Sequence, residues 1–501
     1  MRIFFTFLLL WSFSLSKQMI LISMTKLFNI TNRMNILRLC SVCLLFVVTT
    51  VSSAKADETY VSGWPNLHIH QAQKQPSAEQ PKYKETPISN NTAPYYPQPS
   101  ATVTDEKKLK ADSNKNDLEW GFLKTNSTYS KDMFDRQDNV TNKAVRLLKA
   151  RQNKTVDDKS LYIGGRMTAT HMEEWTDTAG KFPIISRLPN QHTSDKYGSE
   201  DAINDASINT TATFADLTLF AQGEYTEVEY PGQEETQLRK YYAMWGNLDK
   251  FPVYALVGKK TVAFGNFDSY APFTHNHSSH YFWAQTDDPL LEVGYVDNNM
   301  EVIASLLPNS RGLRVLSAPD ESGYENFALS YRQDFDVAQN TRLQVGGGFL
   351  RGTIYNSAIA HHPPTNGGND RGWNSVWNIH STLSGKKWDI MGEYTQTTDS
   401  WPATDHKVSA LTAQGRYKDT IWQKPTTYSL MFSQGVQGES DTPWEQMLQV
   451  VAGVEIQPLP FLELGVEYLY NDGFVPLILP RITGDQGVQS HTVILGAQVT
   501  F

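Results

Sequence analysis

The chain has 501 residues, a formal charge of -9 and an isoelectric point near 5.8. An acidic balance excludes a nucleic-acid partner on charge grounds, since phosphate binding calls for a basic face. A mean hydropathy of -0.43 excludes a bundle of membrane-spanning helices, each of which needs about 20 apolar residues.

The amino end carries two apolar runs, FFTFLLLWSF from Phe4 and LCSVCLLFVVTTV from Leu39, and both are too short to span a bilayer. The second is preceded by Met34, Asn35 and Arg38 and followed by Ala54-Lys55-Ala56, the order of a secretory signal. Residues 1–56 are therefore expected to be an upstream extension plus signal peptide, with Met34 as the start of translation and Asp57 near the mature terminus. Cys40 and Cys43 both fall inside that signal. The exported chain then has no thiol for a disulfide, a zinc site or a nucleophile.

Residues 57–130 begin with polar, proline-rich sequence (QKQPSAEQPKYKETPISNNTAPYYPQPS). Such sequence buries too little apolar surface to offset its ordering entropy and is expected to form a periplasmic tether. Residues 131–159 contain KDMFDRQDNVTNKAVRLLKAR, which predicts one short amphipathic helix with Val140, Ala144, Leu147 and Leu148 on a stripe. Its expected role is to close or contact the domain behind it.

From residue 160 to 501 the texture becomes stretches of about ten residues that alternate apolar with polar or small, the period of strands. In HTVILGAQVTF, Val493, Leu495, Ala497, Val499 and Phe501 share one face while Thr492, Gly496, Gln498 and Thr500 share the other. FLELGVEYLY, WDIMGEY, ENFALSYR and TTYSLMF repeat the arrangement.

A soluble sandwich would alternate too, so other features decide. Aromatic residues stand near strand ends (Tyr162, Trp245, Tyr295, Tyr331, Trp373, Trp377, Trp388, Tyr394, Tyr417, Trp422, Phe461, Tyr470), as interfacial girdles require. The chain closes on Phe501, a terminal aromatic suited to recognition by the barrel-assembly machinery. Short connections (FADLT, GNLDKFP, VDNN, SGKK, QPLP) alternate with long ones at 177–203, 263–288, 308–324, 353–372 and 471–490. The fold expected is all-β: a transmembrane antiparallel outer-membrane β-barrel of about 16 strands in contact with lipid, wide enough for a water-filled channel.

Strand parity places Arg166 beside Thr168 on the inner face, Arg239 opposite Leu238 and Tyr242, and Arg332 opposite Phe327 and Tyr331. Lys259 and Arg351 join these lumen cations by the same parity. Such a lining would attract an anionic solute through charge-assisted hydrogen bonds. Pairing with Glu463, Glu467, Asp389 and Glu393 would instead only stiffen the wall.

The loop APFTHNHSSHYFW packs His275, His277 and His280 among Tyr270, Phe273, Tyr281 and Trp283. Imidazole suits zinc, copper or nickel, but no carboxylate stands in register, so no metal or other cofactor is expected. His277 and Ser279 have the spacing of a hydrolase pair on one strand, without an evident orienting group or oxyanion hole. Counted from the first strand, this is the third long loop, expected to fold inward and form a wet, weakly basic constriction from Tyr270, Phe273, His275, His277, His280 and Trp283. His361-His362 and His68/His70 read as solvated, and no G-x-S-x-G, P-loop, H-E-x-x-H or Rossmann pattern occurs.

The stretch QLRKYYAMWGNLDKFPVYALVGKKTVAFGNFDSYAPFT, residues 237–274, resembles the LbtU-type outer-membrane siderophore porins of Legionella-like bacteria and, more distantly, the iron-uptake proteins of Francisella. GNLDK and FGNFDSYAPFT are its most distinctive segments, and the resemblance runs from about 160 to 501. It implies a non-enzymatic outer-membrane channel that takes up ferric siderophore without an energy-coupled plug domain. The proline-rich amino region departs from the helical character expected of that family. Two other functions fit the residues: a general or nutrient-selective porin for small hydrophilic solutes, and a phospholipase-like hydrolase.

Overall fold

The computed structural model describes residues 119–134, 140–185, 195–228, 234–297, 299–319, 322–356, 372–442, 445–474 and 485–501. The signal, most of the tether, His68, His70, His361 and His362 lie outside the described residues.

Sixteen strands of one sheet form a closed wall. They are β1 (Leu161–Thr176), β2 (Tyr197–Phe214), β3 (Leu217–Tyr225), β4 (Thr236–Gly246), β5 (Val253–Lys259), β6 (Leu290–Asp297), β7 (Met300–Leu307) and β8 (Asn326–Ala338). The second half is β9 (Thr341–Leu350), β10 (Val376–Ser384), β11 (Trp388–Thr397), β12 (Ser409–Ile421), β13 (Lys424–Val436), β14 (Gln446–Leu459), β15 (Leu462–Phe474) and β16 (Asp485–Thr500). Each pairs antiparallel with the next, and β16 pairs antiparallel with β1 from Thr500↔Arg166 to Ser490↔Thr176. The sheet thus closes into a barrel with no free edge. The last residue completes the seam: Phe501 N–H donates to the Gly165 carbonyl at 2.9 Å, and its ring lies where a Gly165 side chain would stand.

Connections at one end are short: 215–216, 247–252, 298–299, 339–340, 385–387, 422–423 and 460–461. At the other end they are long: 177–196, 226–235, 260–289, 308–325, 351–375, 398–408, 437–445 and 475–484. Tight turns between twisted strands favour left-handed residues, and Ala215, Asn340, Trp422 and Gln423 all have positive φ. The 339–340 and 422–423 turns and the 226–235, 398–408 and 437–445 loops add to the alternation expected from sequence.

Alternation sorts the faces. On β6, Leu291, Val293 and Tyr295 are exposed outward while Leu290, Glu292 and Val296 are buried. An apolar belt of such exposed residues, including Leu219, Val257, Val302, Leu329, Ile390, Leu430 and Val466, surrounds the barrel and suits lipid. Aromatic residues flank it: Trp245 stacks on Phe251 near the short turns, and Trp175 meets Tyr197 at the opposite end. Among the described residues no helix is long and apolar enough to cross a membrane.

Three sequence assignments need correction. Tyr162 belongs to no girdle, because its ring is buried inward against Tyr129; Trp373 lies in a long loop beneath Arg351. A register shift opposite Gln222/Gly223 puts Arg239 and Lys240 both inside, and Tyr242 then shares their face rather than opposing it. The described amino-terminal segment includes residues from Glu119, within the stretch expected to be tether. It comprises a hairpin of Glu119–Trp120 with Leu123–Lys124, helix α1 (Ser127–Met133) and helix α2 (Lys143–Gln152), not one helix over 131–151.

The interior is packed rather than a water-filled channel. Val140, Ala144, Val145, Leu147 and Leu148 of the amino-terminal segment are at most 1% exposed, and all but Val140 join one cluster with Phe220, Met244, Tyr254 and Leu256 of the wall. The predicted stripe is therefore real, and it faces the inside of the barrel. A second cluster, with Phe182, Ile185 and Phe273 against Met431, Val451, Leu469 and Ile494, fills the long-loop half.

Candidate functional site

Two chain segments occupy the lumen, and the wall holds each by different chemistry. The 260–289 connection is the third long one from the amino end, and it reaches across to strands β10–β16. Its backbone N–H groups meet a row of inward wall side chains. Glu393 on β11 accepts from Asn266 N–H at 2.8 Å and Phe267 N–H at 3.1 Å, and Gln414 on β12 accepts from Tyr270 N–H at 2.9 Å. Ser433 on β13 accepts from His277 N–H at 2.7 Å. On β15, Glu467 accepts from the N–H groups of Phe273 and Thr274 and from the Thr274 hydroxyl at 2.6 Å. Buried donors are costly when unmet, so these acceptors fix the loop's path. Phe267 has a left-handed φ of 58°, a conformation a bulky residue adopts only where its surroundings impose it.

The wall also leaves room for the loop's rings. A side chain at Gly435 would stand against Tyr281, one at Gly453 would meet Pro272 at 2.5 Å, and one at Gly465 or Gly496 would collide with Phe273. Glycine at these inward positions lets the loop approach the backbone closely. From β12 round to β2 the same face carries Thr412, Gln449, Asn471, Ser490, Thr492, Asn209 and Thr211, all buried.

Within this loop, helix α3 (His277–Phe282) is capped by Asn276, whose side chain accepts from Ser279 N–H at 2.7 Å. His277 and His280 are buried rather than forming a wet rim, and His277 stacks on Tyr281 at 5.7 Å. His275 Nδ1 lies 3.3 Å from Ser279 Oγ, and Ser279 is completely buried. A hydrolase pair there would be unreachable by lipid. Tyr270, also buried, has its phenol pushed above the ordinary range by that burial, with the Arg416 guanidinium, 4.2 Å from the ring, acting against the shift. Trp283 lies near two guanidinium groups, Arg239 at 5.1 Å and Arg314 at 5.0 Å from its ring centroid.

The second segment, the amino-terminal insert, enters and leaves at the short-turn end. Leu123 pairs in parallel with Leu161, and Lys124 meets Asp157 at 2.7 Å, so its two ends lie side by side. In the lumen, Lys131 reaches Glu463 at 2.5 Å, Lys149 reaches Glu301 at 2.5 Å, and Asn142 donates to Glu301 at 3.0 Å. Tyr129 hydrogen-bonds Thr211, and Arg151 donates to Thr218 at 2.7 Å.

Arg332 joins the two segments. It donates to the Thr141 hydroxyl of the insert at 2.7 Å and to the Gly265 carbonyl of the loop at 2.9 Å, while Thr141 donates to that same carbonyl. Of the other predicted lumen cations, Arg166 pairs with Asp205 at 2.8 Å, Arg239 lies 3.6 Å from Glu224, and Lys259 lies 3.3 Å from Asp287. Arg351 is outside the strands, over the Trp373 ring at 4.1 Å and donating to the Glu325 carbonyl. These cations are not brought together around one open space. Nor do the wall acids follow the pairing expected: Asp389 binds Arg416 at 2.6 Å and Lys418 at 2.7 Å, but Glu393 and Glu467 hold loop amides.

Sequence reasoning passed over Lys260, Glu292 and Glu301. Lys260 and Glu292 form an ion pair at 2.6 Å with both side chains at most 4% exposed, and Tyr254 and Ser305 also donate to Glu292. Glu292 and Glu301 stand at inward parity between outward apolar neighbours, Leu291/Val293 and Val302, which is the signal that would have found them.

No family model matches the chain, and no curated protein matches it. Among solved structures it is similar to an anion-selective porin from Comamonas acidovorans, with 9% identity and a TM-score of 0.47 over 68% of this chain and 99% of that one. It is also similar to OprB of Pseudomonas putida, with 9% identity and a TM-score of 0.46 over 68% of this chain and 94% of that one. The outer membrane channel DcaP of Acinetobacter baumannii has 13% identity and a TM-score of 0.44, over 68% and 97%.

Proposed function

We propose that this protein is an outer-membrane channel for small hydrophilic solutes, held here in a closed conformation by the 260–289 loop and the amino-terminal insert. The observation that carries this reading is the wall behind the loop. Thr412, Gln414, Ser433, Gln449, Asn471, Ser490 and Thr492 line one continuous inward surface that water can solvate once the loop moves. A barrel needing only a stable core would fill those positions with aliphatic residues. The short-turn end faces the periplasm and the long loops face outward in this reading.

Ferric siderophore is the solute implied by the resemblance of residues 237–274. Its support is that this stretch contains the loop segment from Phe264 to Thr274 that Glu393, Gln414 and Glu467 hold across the lumen. The lumen cations are engaged by protein partners, so a siderophore would have to displace the loop before meeting them. Uptake of radiolabelled ferric siderophore by a deletion strain and its complemented parent tests this reading: equal uptake refutes the siderophore, while a parallel loss of small-sugar permeation would keep the general channel.

A further inference from the structure

Among the described residues, the wall carboxylates Glu301 and Glu463 have cationic partners, Lys149 and Lys131, that belong to the amino-terminal insert. Helix α2 carries Lys143, Arg146, Lys149 and Arg151 and no acidic residue. The insert is thus a cationic body seated against acids of the barrel.

The insert can leave without rethreading. Its entry strand and its exit at 157–161 lie together at the short-turn end, joined by the Leu161 N–H to Phe122 carbonyl bond at 2.7 Å and by Lys124 with Asp157. The described contacts that bind it to the wall run mainly through side chains, the polar ones of Lys131, Lys149, Asn142, Arg151, Tyr129 and Thr141 and the apolar ones of Ala144, Leu147 and Leu148. The 260–289 loop, by contrast, is held through its backbone amides and by glycine seats on four strands.

We propose that the amino-terminal insert is a withdrawable plug, and that its departure toward the short-turn end exposes Glu301 and Glu463 as cation-selecting groups of the opened passage. This rests on the channel reading. Arg332, directly opposite Glu301 across the β7–β8 pair, remains on the wall and limits the preference, while Glu463 keeps only the Gln498 amide donor among its described side-chain contacts. Removing Lys131 and Lys149 with the insert leaves the lumen more negative, which favours cations by focusing the field.

The test uses the full chain in planar bilayers under a potassium chloride gradient. Lys131→Glu with Lys149→Glu weakens the seat from the insert's side and leaves the wall acids in place. Opening events should rise about tenfold, with a reversal potential that favours potassium over chloride. Adding Glu301→Gln and Glu463→Gln should keep the openings and abolish the preference. Ser130→Cys with Gly164→Cys provides a lock, since a Gly164 Cβ would lie 3.0 Å from Ser130 Cβ and a separation of about 0.5–1 Å more reaches disulfide spacing. In the Lys131→Glu/Lys149→Glu background the oxidised lock should suppress openings, and reductant should restore them in the same membrane, which also shows that the barrel is folded. Openings without cation preference, or openings indifferent to the lock, overturn the proposal. If the charge variants stay as closed as wild type while a chain with the 260–289 loop cut short conducts, the plug is refuted and the channel stands; if neither conducts, the channel reading itself falls.

Discussion

Glu467 on β15 and Thr274 in the 260–289 loop are joined twice: the carboxylate accepts from the Thr274 N–H at 3.1 Å and from its hydroxyl at 2.6 Å. One wall side chain thereby fixes a loop that starts on the far side of the barrel, and it does so with the glycines at 465 and 496 making room for Phe273. Glu467→Ala leaves these donors buried without their acceptor, which costs about 3 kcal/mol or more on the usual scale for charged hydrogen bonds. The expected result is a lower unfolding midpoint in detergent, followed by circular dichroism, with the strand signal itself retained.

The glycine seats make a separate prediction. A valine at Gly435 has to occupy space that Tyr281 fills, so Gly435→Val should push α3 off the wall. Ser278 is completely buried in α3 and bonded to Thr412 at 2.9 Å. A Ser278→Cys reporter should resist maleimide in the otherwise wild-type chain and react readily in the Gly435→Val background. Equal protection in both would mean that the loop does not depend on that seat.

Lys260 and Glu292 form an ion pair buried on both sides, and breaking such a pair from one side strands a charge in the interior. Lys260→Met or Glu292→Gln alone should destabilise by about 3–5 kcal/mol, and the double variant should recover a large part of that loss. Denaturant titration of the four proteins reads the coupling directly; additive losses would show that Tyr254 and Ser305, not Lys260, sustain the carboxylate.

Arg332 bonds both lumen segments, through Thr141 and Gly265. Arg332→Ala should loosen the insert and the loop together, with more frequent brief openings in bilayers. Arg351→Ala, at a side chain beyond the strand ends and over Trp373, should leave the opening frequency unchanged.

Much of the barrel could be read from the chain because membrane strands impose period two and the two ends impose different loop lengths. The turn at Trp422-Gln423 escaped notice, since neither residue is a usual turn former even though both take left-handed φ there. Inward parity was legible for Arg166 and Arg332 but failed after Arg239, where one extra residue in β4 swaps the faces. The largest gap concerned the interior. Periodicity identifies the apolar stripe of Ala144, Leu147 and Leu148 but not its partner, and a stripe that packs against Phe220 and Tyr254 inside a barrel looks the same in sequence as one packed outside. Likewise, Glu393 and Glu467 read as partners for lumen cations because nothing local in the sequence shows that amides of a loop more than a hundred residues away reach them first.

The central claim, that a solute path exists behind the 260–289 loop and is closed by it, is tested most directly by single-channel conductance of the full chain against a variant in which residues 263–284 are replaced by a short turn. The full chain should be nearly silent, and the variant should show large, stable, ohmic conductance. A full chain that already conducts like an open porin, or a correctly folded variant as silent as the parent, would contradict it.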